Sequence, residues 1–267
     1  MTNFTTTIEV VPPAGADAGP ILANLESLLD LPFEAFSVAT NPLAKPRMSA
    51  LALCALIQQR LKRPAILHCT TRDHNRLSIH SLLSGAKGLG IETVLVASGD
   101  FVALGDMAST TTVRDVDVLD LVRRAREMEL YTGVVLDPNP GSTGFRQAVR
   151  RLERKVEAGA QFVVTQPIYD KAGAEELEEA TKHIEIPLLM GILPLRTARH
   201  AEFLHHRVNG ITVPERVRER MAHASNTVAE GAANGRQMLA IARQRFAGAC
   251  IMPPFDHYEV VSDILSQ

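Results

Sequence analysis

The 267-residue sequence contains no tryptophan, and aromatic residues make up only 4% of it. Stacking platforms for bases or flat cofactors are therefore scarce. Positive charge is not in excess: 28 Lys and Arg against 30 Asp and Glu give a net charge of −2, which leaves no electrostatic footprint for nucleic acid. No apolar run approaches the ~18–20 residues that span a bilayer. The start, Met1-Thr2-Asn3-Phe4-Thr5, lacks a basic stretch followed by an apolar one, so no secretory leader is expected. Cysteines are few, odd in number and without metal spacing, so Cys54, Cys69 and Cys250 read as small buried hydrophobes and no metal site is expected. What is present is ordinary for a globular chain, with 46% hydrophobic and 22% charged residues. A soluble, cytoplasmic, single-core protein without nucleic-acid or membrane partners is the expectation.

Short β-rich runs alternate with amphipathic segments from end to end. Strands are expected at 6–11, 35–39, 65–69, 93–97, 131–136, 161–165, 187–191 and 249–252. Helices are expected at 21–29, 48–61, 77–89, 116–129, 145–158 and 174–183, with three more at 199–206, 214–224 and 227–245. Such alternation implies an α/β protein with a parallel sheet. Eight strands without a linker favour a single-domain (β/α)8 TIM-type barrel over 1–267, with extra helices between strands 7 and 8. An open doubly wound sheet is the competitor, and strand order cannot be read from sequence.

A barrel collects its chemistry at the C-terminal ends of its strands. In the first strand, alternation sets Ile8 and Val10 on one face and Thr7 and Glu9 on the other. If Ile8 and Val10 meet the helices, Glu9 enters the barrel, where burial raises a carboxyl pKa toward that of a general acid. A glutamate hydrogen-bonded to a neighbouring strand is the plainer alternative. The third strand runs into His68-Cys69-Thr70-Thr71-Arg72-Asp73-His74-Asn75-Arg76, which can line a ligand while Asp73 caps the next helix. The fourth ends Ser98-Gly99-Asp100, either a plain turn or an anion placed at the mouth. The sixth ends Thr165-Gln166-Pro167, and a glutamine there can donate and accept at once, matching a lactam-like edge.

After the fifth strand, Gly141-Ser142-Thr143-Gly144 reads as a turn and helix N-cap, with a phosphate cradle as the other reading. The helix beyond carries Arg146, Arg150 and Arg154 at i, i+4 spacing, with Arg151 and Lys155 alongside. Such a stripe is a solvated face or meets a nucleotide phosphate. The histidines His200, His205 and His206 have no companion carboxylates and read as surface.

Taken in order, these strand ends resemble the methylenetetrahydrofolate reductase family. The segments that carry the resemblance are Ile8 to Pro13, His68 to Arg76, Ser98-Gly99-Asp100, Lys155 to Ala160, Thr165 to Asp170 and Gly191-Ile192-Leu193-Pro194; a closing Met252-Pro253-Pro254-Phe255 resembles some members. The resemblance implies a (β/α)8 barrel that reduces 5,10-methylenetetrahydrofolate to 5-methyltetrahydrofolate. It places the catalytic acid on Glu9, an aspartate near the pterin on Asp100, a pterin-binding glutamine on Gln166 and an apolar substrate contact on Leu204. His68, Thr70, Arg154 and Lys155 are the implied cofactor contacts. Most of the family passes hydride through bound FAD. Here several flavin contacts are replaced: the corresponding positions hold Val135, Asn139, Ala148 and Arg151, with Ser98 where an arginine is common and Ala39, next to Thr40, where a threonine is usual. The sequence thus resembles the short flavin-independent branch, in which NADH, or NADPH, gives hydride directly and FAD is not expected. An FAD-dependent reductase and a pterin-binding subunit without reductase activity are the alternatives. Lys45, Arg47, Arg196 and Arg199 are unranked candidates for holding a folate glutamate tail, and oligomeric state is left open.

Overall fold

A computed structural model describes residues 4–102, 110–208 and 210–266; Met1–Asn3, part of the segment read for a leader, lie outside them. The strands are β1 (Thr5–Val10), β2 (Ala35–Val38), β3 (Ala65–Thr70), β4 (Thr93–Ala97), β5 (Tyr131–Leu136), β6 (Phe162–Pro167), β7 (Leu188–Ile192) and β8 (Gly248–Ile251). They pair in parallel in sequence order, and β8 returns to β1 with Thr5 opposite Gly248 and Ile8 opposite Ile251. That closing pair excludes the open sheet.

The helices are α1 (Gly19–Glu26), α2 (Ala50–Leu61), α3 (Arg76–Gly88), α4 (Val118–Glu127), α5 (Phe145–Glu157), α6 (Lys171–Thr181), α7 (Ala198–Arg207), α8 (Glu215–His223), α9 (Thr227–Arg245) and α10 (Glu259–Leu265). α7, α8 and α9 are the extra helices expected between strands 7 and 8, whereas α10 was not expected. Its seven residues are too few for a clear period, and Val260, Val261, Ile264 and Leu265 bury it in the core. Asp73 does not cap α3 as expected: Asn75 does, accepting from Ser78 N–H at 2.8 Å, because Arg72 engages the Asp73 carboxylate. Gly144 stands at the N-cap of α5 without a side-chain hydrogen bond. Among the described residues, no helix is long and apolar enough to cross a membrane.

Two concentric cores follow from strand alternation. Ile8, Val10, Leu67, Val94, Val134, Val163 and Met190 face outward and meet helix residues such as Leu53, Ile57, Leu83, Leu121 and Leu177. Each fully buried Leu or Ile contributes about 1.5–3 kcal/mol. The barrel interior is filled by Ala35, Ile66, Leu95, Phe162, Val164, Leu189 and Cys250. A separate cluster of Tyr169, Leu195, Leu204, Ile211, Val213, Val217 and Met221 seats the α7–α8 excursion. The three cysteines are free and buried.

Candidate active site

Toward the C-terminal ends of the strands, the inward side chains turn polar. There they line a cavity of about 830 Å³. All eight site residues expected from the sequence border it: Glu9, His68, Thr70, Asp100, Arg154, Lys155, Gln166 and Leu204.

Glu9 sits on β1 between Ile8 and Val10, both of which face the helices, so it projects into the barrel as alternation requires. Burial, and then the nearby Asp100 charge, push its carboxyl up to about 7. On β3, the His68 ring meets Ser37 Oγ through Nε2 at 2.7 Å. Burial lowers the imidazole to about 4, so the ring is neutral near pH 7. Thr70 Oγ1 is buried and, among the described residues, has no hydrogen-bond partner.

Asp100 follows Gly99, whose φ of +84° belongs to the left-handed region. A Cβ there would stand 3.0 Å from Arg72 Cβ, so glycine satisfies both the turn and the close approach. Asp100 Oδ2 accepts the Leu43 N–H at 2.6 Å, which draws the loop after β2 to the rim. Arg72, buried beneath, pairs with Asp73 at 2.6 Å and donates to the Asp100 and Asn41 carbonyls, each at 3.2 Å. The loops after β2, β3 and β4 are therefore tied to one guanidinium.

Gln166 owes its placement to an irregularity. The β6–β7 register shifts between Val164 and Pro167. Across that gap the Thr165 hydroxyl accepts from Gly191 N–H at 3.0 Å and donates to the Gln166 carbonyl at 2.8 Å. A bulge of this kind re-aims a neighbouring side chain. On the neighbouring strand β5, the Val135 carbonyl accepts from Lys155 of α5 at 2.8 Å. Burial and then Arg151 lower the Lys155 amine to about 8, against the opposing pull of Asp137.

Several lining residues were not anticipated as site residues. Asp137 and Arg151 face the cavity, as do His200 and Phe203 of α7. His200 is buried, not at the surface as expected, with burial and then Arg196 lowering it to about 4. Its position one turn before Leu204 was the available signal. Of the four positions replacing flavin contacts around β5 and α5, Val135 and Arg151 border the cavity, Asn139 is buried and committed to the Pro167 carbonyl, Ser142 Oγ and Thr212 N–H, and Ala148 lies in the helix–sheet core. None of Lys45, Arg47, Arg196 and Arg199 borders the cavity; among the described residues, the Lys and Arg that do are Arg151, Arg154 and Lys155, all on α5.

The fold is a closed parallel (β/α)8 barrel in which a buried carboxyl, Glu9, and the α5 cations Arg151, Arg154 and Lys155 border one cavity. The family model for methylenetetrahydrofolate reductase matches residues 1–242. The chain belongs to the methylenetetrahydrofolate reductase family. It is 25% identical over 134 residues to a probable methylenetetrahydrofolate reductase (NADPH) of Caenorhabditis elegans, covering 49% of this chain and 20% of that one. It is 26% identical over 189 residues to methylenetetrahydrofolate reductase 2 of Schizosaccharomyces pombe, covering 64% of this chain and 29% of that one. The chain thus spans less than a third of either relative. Among solved structures, an uncharacterized Clostridium thermocellum protein that binds two copies of 5-methyl-5,6,7,8-tetrahydrofolic acid shares the fold, with a TM-score of 0.66, 12% identity and coverage of 99% of this chain and 94% of that one. A 2,3-dimethylmalate lyase shares it at a TM-score of 0.57, 12% identity and coverage of 97% and 76%.

Proposed function

We propose that the chain reduces 5,10-methylenetetrahydrofolate to 5-methyltetrahydrofolate by direct hydride transfer from NADH, or NADPH, without bound flavin. The observation that carries the proposal is Glu9: a carboxyl held near neutrality at the floor of the cavity, beside Asp100 and sharing that cavity with Gln166. Protonated Glu9 gives its proton to the bridge nitrogen that leaves the methylene carbon, and the five-membered ring opens to an iminium. Ionised Asp100 stabilises that cation, the charge-inverted form of an oxyanion hole. Gln166 holds the pterin edge so that the methylene carbon faces the nicotinamide. Hydride then passes from the dihydronicotinamide to that carbon, leaving a methyl group and NAD+; one proton and one hydride are consumed per turnover. On this reading Arg151, Arg154 and Lys155, which line the same cavity, hold the diphosphate of the donor.

Two observations support the flavin-free form. Of the positions that correspond to flavin contacts, Asn139 and Ala148 do not border the cavity, whereas Val135, Arg151, Ser98 and Ala39 do, with side chains other than the usual ones. Of the described residues that do border it, Phe203 alone is a Phe, Tyr or Trp. On this reading no step is assigned to FAD. The free, buried cysteines support a reducing, cytoplasmic setting. Because the Clostridium thermocellum neighbour binds a reduced folate, a folate-binding barrel without reductase activity is the second reading. NADH oxidation by purified protein with authentic methylenetetrahydrofolate decides between them: turnover supports the reductase, and tight folate binding without turnover supports the binder.

A further inference from the structure

β5 and β6 pair with Leu136 opposite Thr165, so the next residues, Asp137 and Gln166, stand side by side where the strands reach the mouth. Both side chains line the cavity, and the Gln166 amide helps hold the Asp137 carboxyl toward its ionised form. Asp137 is also hemmed in from behind. Gly210 closes on it so tightly that a Cβ at that position would lie 1.9 Å from Asp137 Oδ1. Gly210 has a left-handed φ of +86°, and its carbonyl accepts the Asn139 N–H at 2.9 Å. Asn139 Oδ1 in turn accepts from Thr212 N–H at 3.1 Å, so segment 210–212 is fastened to the loop that begins with Asp137.

An ionised carboxylate only accepts hydrogen bonds, whereas a primary amide carries one acceptor and two donors. Rotating the Gln166 amide by half a turn would set its oxygen against the Asp137 oxygens. We propose that Asp137 is a positioning residue: it takes one N–H of Gln166 and thereby fixes the order in which the remaining N–H and the carbonyl oxygen face the ligand. The cavity then favours a ring whose acceptor and donor run in one order, such as the lactam edge of a reduced pterin, over a ring with the order reversed. This rests on the folate reading above and adds how the edge is selected. The carboxyl is raised by burial and by Asp100, while Lys155, Gln166 and Arg151 pull it back toward the accepting form.

The test is a cycle of Asp137→Ala, Gln166→Ala and the double variant, read by calorimetric binding of 5-methyltetrahydrofolate and by KM for each substrate. Asp137→Asn is the companion that keeps the shape, since asparagine can accept or donate and so permits both amide orientations. Expected are roughly tenfold weaker folate binding in either Asp137 variant, the scale of one lost hydrogen bond to a charged group, with KM for NADH changed less than about twofold. The double variant should bind no more weakly than Gln166→Ala, the signature of two groups acting as one unit. Additive losses, unchanged folate affinity, or equal losses for folate and NADH would overturn the role. Selective ¹⁵N labelling of glutamine gives a ligand-free check, because Asp137→Asn should move the Gln166 side-chain amide resonance. A wild-type protein that binds no reduced folate removes the functional reading and this role together. Folate binding without coupling removes only the role of Asp137.

Discussion

The Glu9 carboxyl keeps its proton to about pH 7 because burial strips it of water and Asp100 adds a like charge nearby. As an acid it acts in the protonated form, so turnover is expected to fall as pH rises through about 7, and a pH–rate profile checks it. The same shift enters stability. The folded state binds this proton more tightly than the unfolded chain, so the associated stability is full below the ordinary value of 4.5 and is lost as pH rises to about 7. Glu9→Gln is therefore expected to fold, to lose turnover by ~100-fold, and to melt at a higher temperature than wild type by a margin that widens across that interval. Near wild-type turnover would remove Glu9 from the acid role. Asp100→Asn is expected to lower kcat by ~100-fold or more while leaving KM for NADH unchanged; a selective loss of NADH binding would place Asp100 elsewhere in the chemistry. That Glu9, Asp100 and Gln166 line the cavity was legible in sequence because each is a polar residue near or just past the C-terminal end of an apolar strand. Asp137 meets the same description, yet the following Pro138-Asn139-Pro140-Gly141 made it look like part of a turn. His200 was hidden among three histidines, and only the packing of α7 against the mouth separates it from exposed His206.

Helices and strands were legible to within a few residues, since hydrophobic period marks their centres while capping chemistry sets their ends. β6 shows the limit: alternation stops where Thr165 substitutes its hydroxyl for a ladder bond, and the strand continues to Pro167. The junction of three loops on Arg72 was not legible, because its partners Asn41 and Asp100 lie 31 and 28 residues away. Arg72 is buried and its partner Asp73 is 23% exposed, so removing the cation leaves a poorly solvated carboxylate. Arg72→Ala is expected to cost about 3 kcal/mol of unfolding free energy, the lower end for breaking a buried pair, measured by urea denaturation. Its kcat should fall with it, since the Asp100 backbone and the loop bearing Leu43 lose a shared anchor. Stability within about 0.5 kcal/mol of wild type would show that the junction is dispensable.

Every described strand belongs to one closed sheet, and a cavity of about 830 Å³ opens at the mouth of that sheet. From sequence the count of eight pointed to closure, but only the β1–β8 pairing distinguishes a barrel from an open sheet. If folate and dinucleotide share this mouth, both must be bound before hydride moves. Initial-velocity plots are then expected to intersect, and the supernatant of denatured protein should show no stoichiometric flavin absorbance. Parallel lines with a yellow supernatant would establish the FAD-dependent route instead. The order of the strands carries one more consequence. β1 and β5 lie four places apart in a ring of eight, so Glu9 faces Arg151, Arg154 and Lys155 across the full width of the barrel. A dinucleotide anchored by its diphosphate on the α5 side can reach the carbon beside Glu9 with only one side of its nicotinamide turned inward. Of the two hydrogens on that ring carbon, the protein should remove the same one at every turnover. NADH deuterated at one prochiral position would then deliver its label to the new methyl group completely, and NADH deuterated at the other would deliver none.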